Sequence, residues 1–254
     1  MTAGVAGRTA LVTGGGSGLG AAMAVALADA GARVVAVGRD RPRLEDVVAS
    51  LAVPGCAAVC DVSDAESVRD LAAELADEEI SILVNNAGVP GPVQTLVGIE
   101  PAEWDAVFDV NVRGVYLMCR AFLPAMLERG TGDVVNVASV SGKRPLPGRT
   151  PYCASKMAVI GLTATLAAEA GPHGVNVNTL SPGPVAGPRM ERNFRLEAER
   201  TGVDYAEAER AFVSRAALGR MVTAQEVGSA LVAMLGMPGL CAADIDLSAG
   251  MVAR

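Results

Sequence analysis

Thr13-Gly14-Gly15-Gly16-Ser17-Gly18-Leu19-Gly20 is the stretch from which the fold can be read. It follows a short apolar run, Thr9–Thr13, and opens an alanine-rich segment of helical period. Glycines at such a junction let the chain turn sharply and bring backbone N–H groups against a pyrophosphate, whose charge is favoured at a helix N-terminus. A glycine cluster alone could be a plain strand-to-helix turn. Its place at the first βα junction favours a dinucleotide site built on Gly14, Gly16, Ser17, Gly18, Leu19 and Gly20.

Outward from that turn, apolar β-branched runs alternate with helical stretches. Strands are expected at Thr9–Thr13, Arg33–Val37, Ala57–Cys60, Ile80–Val84, Asp133–Val137, Val175–Leu180 and Asp244–Leu247. Helices are expected near 18–30, 41–51, 64–77, 101–129, 151–170 and 223–235. Unbroken apolar strands and a βαβ rhythm imply a parallel sheet covered on both faces by helices. One domain over residues 1–254 is expected, with a substrate lid at about 184–222 that holds two short polar helices.

Composition narrows the class. Hydrophobic residues make up 51% of the chain, ample for one core, but only 3% are aromatic, so Ala, Val, Leu and Met must fill it. The net charge is −7 and no basic block interrupts it, which argues against nucleic acid or an anionic membrane as partner. Five cysteines without CxxC spacing and a single histidine, His173, make a metal site improbable and fit reduced thiols. With no signal-peptide core and no apolar run of membrane length, a soluble cytoplasmic protein is expected.

Chemistry is suggested further along. Tyr152 and Lys156 are four apart on an expected helix and so share a face. Ser139 ends the fifth strand beside that helix's start. Hydride transfer to a carbonyl needs a proton donor for the developing alkoxide, and an ammonium beside a phenol favours its ionised form. Asp61, after the third strand, is placed to accept from an adenine amino group, or else to cap the next helix. Asn85-Asn86-Ala87-Gly88 ends the fourth strand, where doubly wound sheets bind ligands.

TGGGSGLG, NNAG, Asn111, Ser139, YCASK and Pro182-Gly183 occur in the order and spacing of the short-chain dehydrogenase/reductase family, which the chain resembles from about Arg8 to Gly250. The resemblance implies a doubly wound α/β Rossmann fold, three-layer α/β/α, with a seven-stranded sheet of order 3-2-1-4-5-6-7. It implies an NAD(P)-dependent oxidoreductase moving a hydride between nicotinamide and a secondary alcohol or ketone. Tyr152 would be the acid/base, Lys156 would hold the nicotinamide ribose, Ser139 would bind the substrate oxygen, and Asn111 would support a water leading protons to Lys156. Cofactor contacts would also come from Asp61, Val62, Asn85, Ala87, Gly88, Pro182, Gly183 and the Val185 backbone.

The chain departs from the pattern in two places. Gly187 stands where the family often has a cofactor-binding Thr, and Cys241-Ala242 stands where it has Thr-Gly before the last strand. NAD-preferring relatives place an acid at the end of the second strand, where this chain has Gly38 and then Arg39, whose guanidinium suits a 2′-phosphate. NADP is therefore the expected cofactor, with NAD the alternative. The basic segment from Lys143 and Arg144 to Arg149, with Arg189, Arg192 and Arg195 of the lid, is read as solvated rather than as an anion site, and His173 as solvated without a role. The helix from Tyr152 to Ala168 has Lys156 as its one charged side chain, so a second subunit is expected to cover it, in a homotetramer or homodimer. A regulator without turnover is opposed by the intact Ser139, Tyr152 and Lys156. An epimerase or dehydratase on this fold would be expected to carry a larger C-terminal domain.

Overall fold

Seven short runs, most of them rich in Val, Ile, Leu and Ala, form one sheet. They are β1 (Thr9–Thr13), β2 (Arg33–Gly38), β3 (Cys56–Val59), β4 (Ile80–Asn85), β5 (Gly132–Val137), β6 (Val175–Pro182) and β7 (Asp244–Leu247). The computed structural model describes residues 4–144 and 146–252, less the side chains of Arg189 and Arg200. Pro145 and the Arg189 side chain thus lie outside the described residues.

The strand order is β3-β2-β1-β4-β5-β6-β7, and each neighbouring pair is parallel. This is the doubly wound three-layer arrangement expected from the sequence. After β3 the chain returns past β1 to lay down β4, so the β1/β4 boundary is a switch point with a crevice at its C-terminal edge.

Side chains alternate between two cores. Leu11 and Leu83 face a core with Met118, Met126 and Val159, while Val12 and Val84 face one with Met23, Leu27 and Leu231. Helices α1 (Gly18–Asp29) and α9 (Ala224–Leu235) close the second core, and α3 (Ala65–Glu74), α5 (Gly114–Arg129) and α6 (Thr150–Ala170) close the first. The remaining helices are α2 (Arg41–Ala49), α4 (Pro101–Phe108), α7 (Pro188–Thr201) and α8 (Tyr205–Val213). The largest fully buried side chains are aliphatic, led by Leu11, Met23 and Leu27. Burying one such side chain is worth about 1.5–3 kcal/mol.

One expected helix is not continuous. Residues 101–129 divide into α4, a π turn at Asp109–Arg113, and α5. Gly114 N–H reaches back to Asp109 O, a step of five residues that inserts an extra residue into the helix. The helix resumes tightly packed there: a Cβ on Gly114 would lie 2.9 Å from Val62 Cγ2. The region 184–222 does contain two helices, α7 and α8, joined by the Phe194 ring edge-on to Tyr205 and Phe212. Among the described residues no helix is long and apolar enough to cross a membrane.

Candidate active site

The glycine turn is shaped by contact. Gly14 (φ +67°) and Gly18 (φ +53°) use left-handed backbone that favours glycine. A Cβ on Gly20 would lie 2.0 Å from Gly14 O, so no other residue fits there. Around Gly18 nothing lies within 4 Å of a Cβ, which leaves open room at the start of α1. Ser17 is exposed and its hydroxyl caps nothing, and no acidic residue occupies the first turn. Leu19 turns its side chain against the core. A bare, uncapped helix N-terminus with space in front of it fits a dinucleotide pyrophosphate.

Asn86, passed over in the sequence reading, holds this turn. Its Nδ2 donates to Thr13 O at 2.9 Å, and Thr13 Oγ1 accepts from the N–H groups of Asn86 and Ala87 at 2.9 and 3.0 Å. An added Cβ on either Gly14 or Gly20 would strike that same amide, at 2.8 and 2.7 Å. The NNAG stretch thus ties the end of β4 to the end of β1 at the switch point.

Asp61 does not cap α3; Asp64 does, by accepting from Glu66 N. Asp61 instead accepts from the hydroxyl and N–H of Ser63 at 2.6 and 3.0 Å. The Ser63 hydroxyl bond holds its carboxyl below the usual range against partial burial, with help from the Ser63 N–H and the Arg39 charge. Val62 and Ala87 line a small cleft with Thr13, Asn85, Gly114 and Val115. Asn85 is 2% exposed, and its Nδ2 is engaged by Asn136 Oδ1 at 2.8 Å. Its Oδ1 is buried and has no hydrogen-bond partner among the described residues.

The catalytic set gathers around α6. Lys156 is 5% exposed, donates to Val137 O at 2.8 Å, and lies 5.9 Å from the Tyr152 ring centre. Asn111 is fully buried in the π turn. Its Oδ1 accepts from Val89 N at 2.8 Å, and its Nδ2 donates to Val89 O and Ser155 Oγ, each at 3.0 Å. Ser155 Oγ in turn donates to Tyr152 O at 2.8 Å. A Cβ on Gly88 would sit 3.2 Å from Asn111 Oδ1 and 3.5 Å from Lys156 Nζ, so these three positions converge. Ser139 Oγ accepts from Ser141 N at 3.1 Å and donates to Pro182 O over a long 3.4 Å.

Beyond β6, Gly183 passes so close that a Cβ would lie 2.8 Å from Ser248 Cα. Val185 forms an isolated parallel bridge with Val222, but the bonds run through Pro184 O and Ala186 N. The N–H and C=O of Val185 itself are not used in it. At the end of β2, Asp40 caps α2 and pairs with Arg43 at 3.2 Å, and Arg41 lies 3.7 Å from Glu45. Arg39 is exposed and has no carboxylate within 4.0 Å among the described residues.

Some sequence readings meet a different environment. Lys143, read with the basic segment before Tyr152, is buried and ion-paired. Arg192, Arg195 and His173 are exposed, as expected. Among the described residues no cluster of His, Cys, Asp or Glu could hold a metal ion. Asn86 lies inside NNAG and Ser155 inside YCASK, but the contacts of neither follow from spacing. Asp244-x-Asp246, two carboxylates of one strand face, was a signal that went unread.

The chain matches the short chain dehydrogenase family over residues 8–199. It is 44% identical to the D-threitol dehydrogenase of Mycolicibacterium smegmatis (strain ATCC 700084 / mc(2)155) over 185 residues, 69% of either chain. An NAD+-bound xylitol dehydrogenase structure superposes with a TM-score of 0.90 at 28% identity, covering 97% of this chain and 99% of that one. A variant actinorhodin polyketide ketoreductase with NADPH superposes at 0.91 and 31% identity, covering 99% of each.

Proposed function

Because the chain belongs to the short-chain dehydrogenase/reductase family, and so is an NAD(P)-dependent oxidoreductase of secondary alcohols and ketones, we propose that Tyr152 is its general acid and base. The observation that carries this is the Tyr152–Lys156 pair, one helical turn apart, with the Lys156 ammonium buried 5.9 Å from the ring. In reduction the Tyr152 hydroxyl gives its proton to the oxygen of the former carbonyl. In oxidation the phenolate takes the hydroxyl proton of the alcohol. Ser139 donates to the same oxygen once its long bond to Pro182 O is exchanged for the substrate. Lys156 anchors the nicotinamide ribose and presents positive charge to Tyr152. Asn111, fixed by Val89 and Ser155, supports the water that refills the proton.

Bound nicotinamide supplies or takes the hydride. Gly14, Gly16, Ser17, Gly18, Leu19 and Gly20 would receive its pyrophosphate, Asp61 and Val62 its adenine, and Asn85, Ala87 and Gly88 would line its path toward Lys156. Pro182, Gly183 and the backbone of Val185 meet the carboxamide. NADP is the preferred form, because Arg39 has no carboxylate within 4.0 Å among the described residues, while Asp40 is committed to capping α2. The helices α7 and α8 act as a lid over the substrate.

Assembly and compartment complete the proposal. On α6, Met157, Gly161, Ala164 and Ala168 are exposed along one stripe, and Tyr116 of α5 is exposed too. A homodimer or homotetramer covers them, and five free thiols suit the cytoplasm. Cofactor absorbance followed with NADPH and NADH across a panel of ketones and alcohols tests the reaction. Turnover of at least one member supports it; tight cofactor binding with no turnover of any member would overturn it.

A further inference from the structure

Lys143, itself buried, belongs to an ion cluster with two partly exposed carboxylates that the reaction as described does not use. It closes the 3-10 turn Val140–Gly142, whose first residue follows the capping Ser139. Its side chain is 2% exposed, and its Nζ donates to Asp244 Oδ2 at 2.5 Å and to Asp246 Oδ1. The two aspartates are alternate residues of β7 and share one face; Ile245 and Leu247 pack into the core on the other. Ser181 of β6 donates to Asp244 Oδ1 at 2.7 Å and completes the cluster.

The turn is held from a second side as well. A Cβ on Gly142 would lie 2.9 Å from Met157 N and 3.0 Å from Lys156 C, so the turn rests directly on the backbone of α6. Ser139 itself has little to hold its hydroxyl: one N–H from Ser141 and the 3.4 Å bond to Pro182 O. Its position relative to Tyr152 and Lys156 therefore depends on where the turn sits. An ammonium removed from water must be paired, so Lys143 is bound to stay where β7 holds its two carboxylates.

We propose that Lys143 is a positioning residue for Ser139: through Asp244 and Asp246 it pins the turn between the edge strand and α6, and so sets the Ser139 hydroxyl at the substrate oxygen. This rests on the reading of Ser139 given above. A cluster that merely stabilised the sheet edge would alter melting and leave turnover at ordinary temperature unchanged.

The test measures kcat, KM, cofactor Kd and Tm for Lys143→Gln, Lys143→Arg and Asp246→Asn, each alone and combined with Ser139→Ala. Small misplacement of a reacting group costs up to about 100-fold, so Lys143→Gln should lower kcat at least ~10-fold while cofactor Kd stays within about 2-fold. Lys143→Arg should restore part of that loss. In the Ser139→Ala background the further loss should shrink to under ~2-fold, because both changes act through one group. Losses that multiply in the double variant, or normal kcat with a lowered Tm, would overturn the proposal. Should Lys143→Gln fail to fold, Asp246→Asn provides the same comparison with the same two outcomes. Unchanged kcat in Ser139→Ala alone would overturn the reading of Ser139 itself, a result distinct from additivity.

Discussion

The Lys156 ammonium donates to Val137 O at 2.8 Å and stands 5.9 Å from the centre of the Tyr152 ring. The bond to β5 fixes the charge to the sheet, while the helix fixes the phenol one turn away. Positive charge is thus held where the phenol must release and regain a proton. Tyr152→Phe removes only the hydroxyl and keeps the ring in place. It should retain the fold and the cofactor Kd, and lower kcat by at least ~100-fold, the scale of a lost general acid. Near-normal turnover in that variant would take Tyr152 out of the reaction.

β1, β2 and β4 were legible because strands buried on both faces leave unbroken apolar runs, whereas β6 (VNVNTLSP) and β7 (DIDL) alternate apolar with polar residues. β1 and β7 have the ends expected for them, and the others differ by one or two residues. The break between α4 and α5 was not legible. Residues 101–129 keep an apolar period throughout, and the π turn goes with contacts distant in sequence, Gly114 against Val62 and Asn111 against Val89. The same applies to the site. Ser139, Tyr152 and Lys156 could be picked out by type and spacing. Thr13 joined to Asn86, and Lys143 joined to Asp246 across 103 residues, depend on strand neighbours that spacing does not reveal.

Arg39 tests the cofactor reading. Arg41 and Arg43 have carboxylates at 3.7 and 3.2 Å, and Arg39 has none within 4.0 Å among the described residues. A guanidinium so placed can gain a charge-assisted bond from a phosphate at the ribose, which NADH lacks. Arg39→Ala should raise KM for NADPH by at least ~10-fold and leave NADH within about 2-fold, given ~1.5–3 kcal/mol for a charged hydrogen bond. Equal losses with both, or a wild-type preference for NADH, would refute the NADP assignment.

Gly161 tests the assembly. It lies on the exposed stripe of α6, and nothing within 4 Å would meet a side chain there in the single chain. A second copy packed on that stripe would meet it at once. Gly161→Arg should therefore keep the fold while light scattering shows a smaller species than wild type. A wild-type mass equal to that of one chain, with activity retained, would exclude the dimer and the tetramer together.

Ala242 carries strain that can be removed. It adopts φ +58° just before β7, at the position where the family resemblance has glycine. The turn is held there by Ala242 N–H to Val177 O at 2.9 Å, Ala243 N–H to Asn178 Oδ1 at 2.9 Å, and Asn178 Nδ2 to Leu240 O at 2.7 Å. A left-handed residue with a Cβ costs roughly 1–2 kcal/mol. Glycine removes that cost but adds about 0.4–1 kcal/mol of freedom to the unfolded chain. The side chain of Ala242 is exposed, so no packing is lost with the methyl. The balance favours Ala242→Gly by roughly 0.5–1 kcal/mol, which for a chain of this size raises Tm by about 1–4 °C. Calorimetry should show that rise with kcat unaltered. A lower Tm would mean that the αL strain at Ala242 is smaller than the entropy glycine adds, and that the alanine is the better residue for this turn.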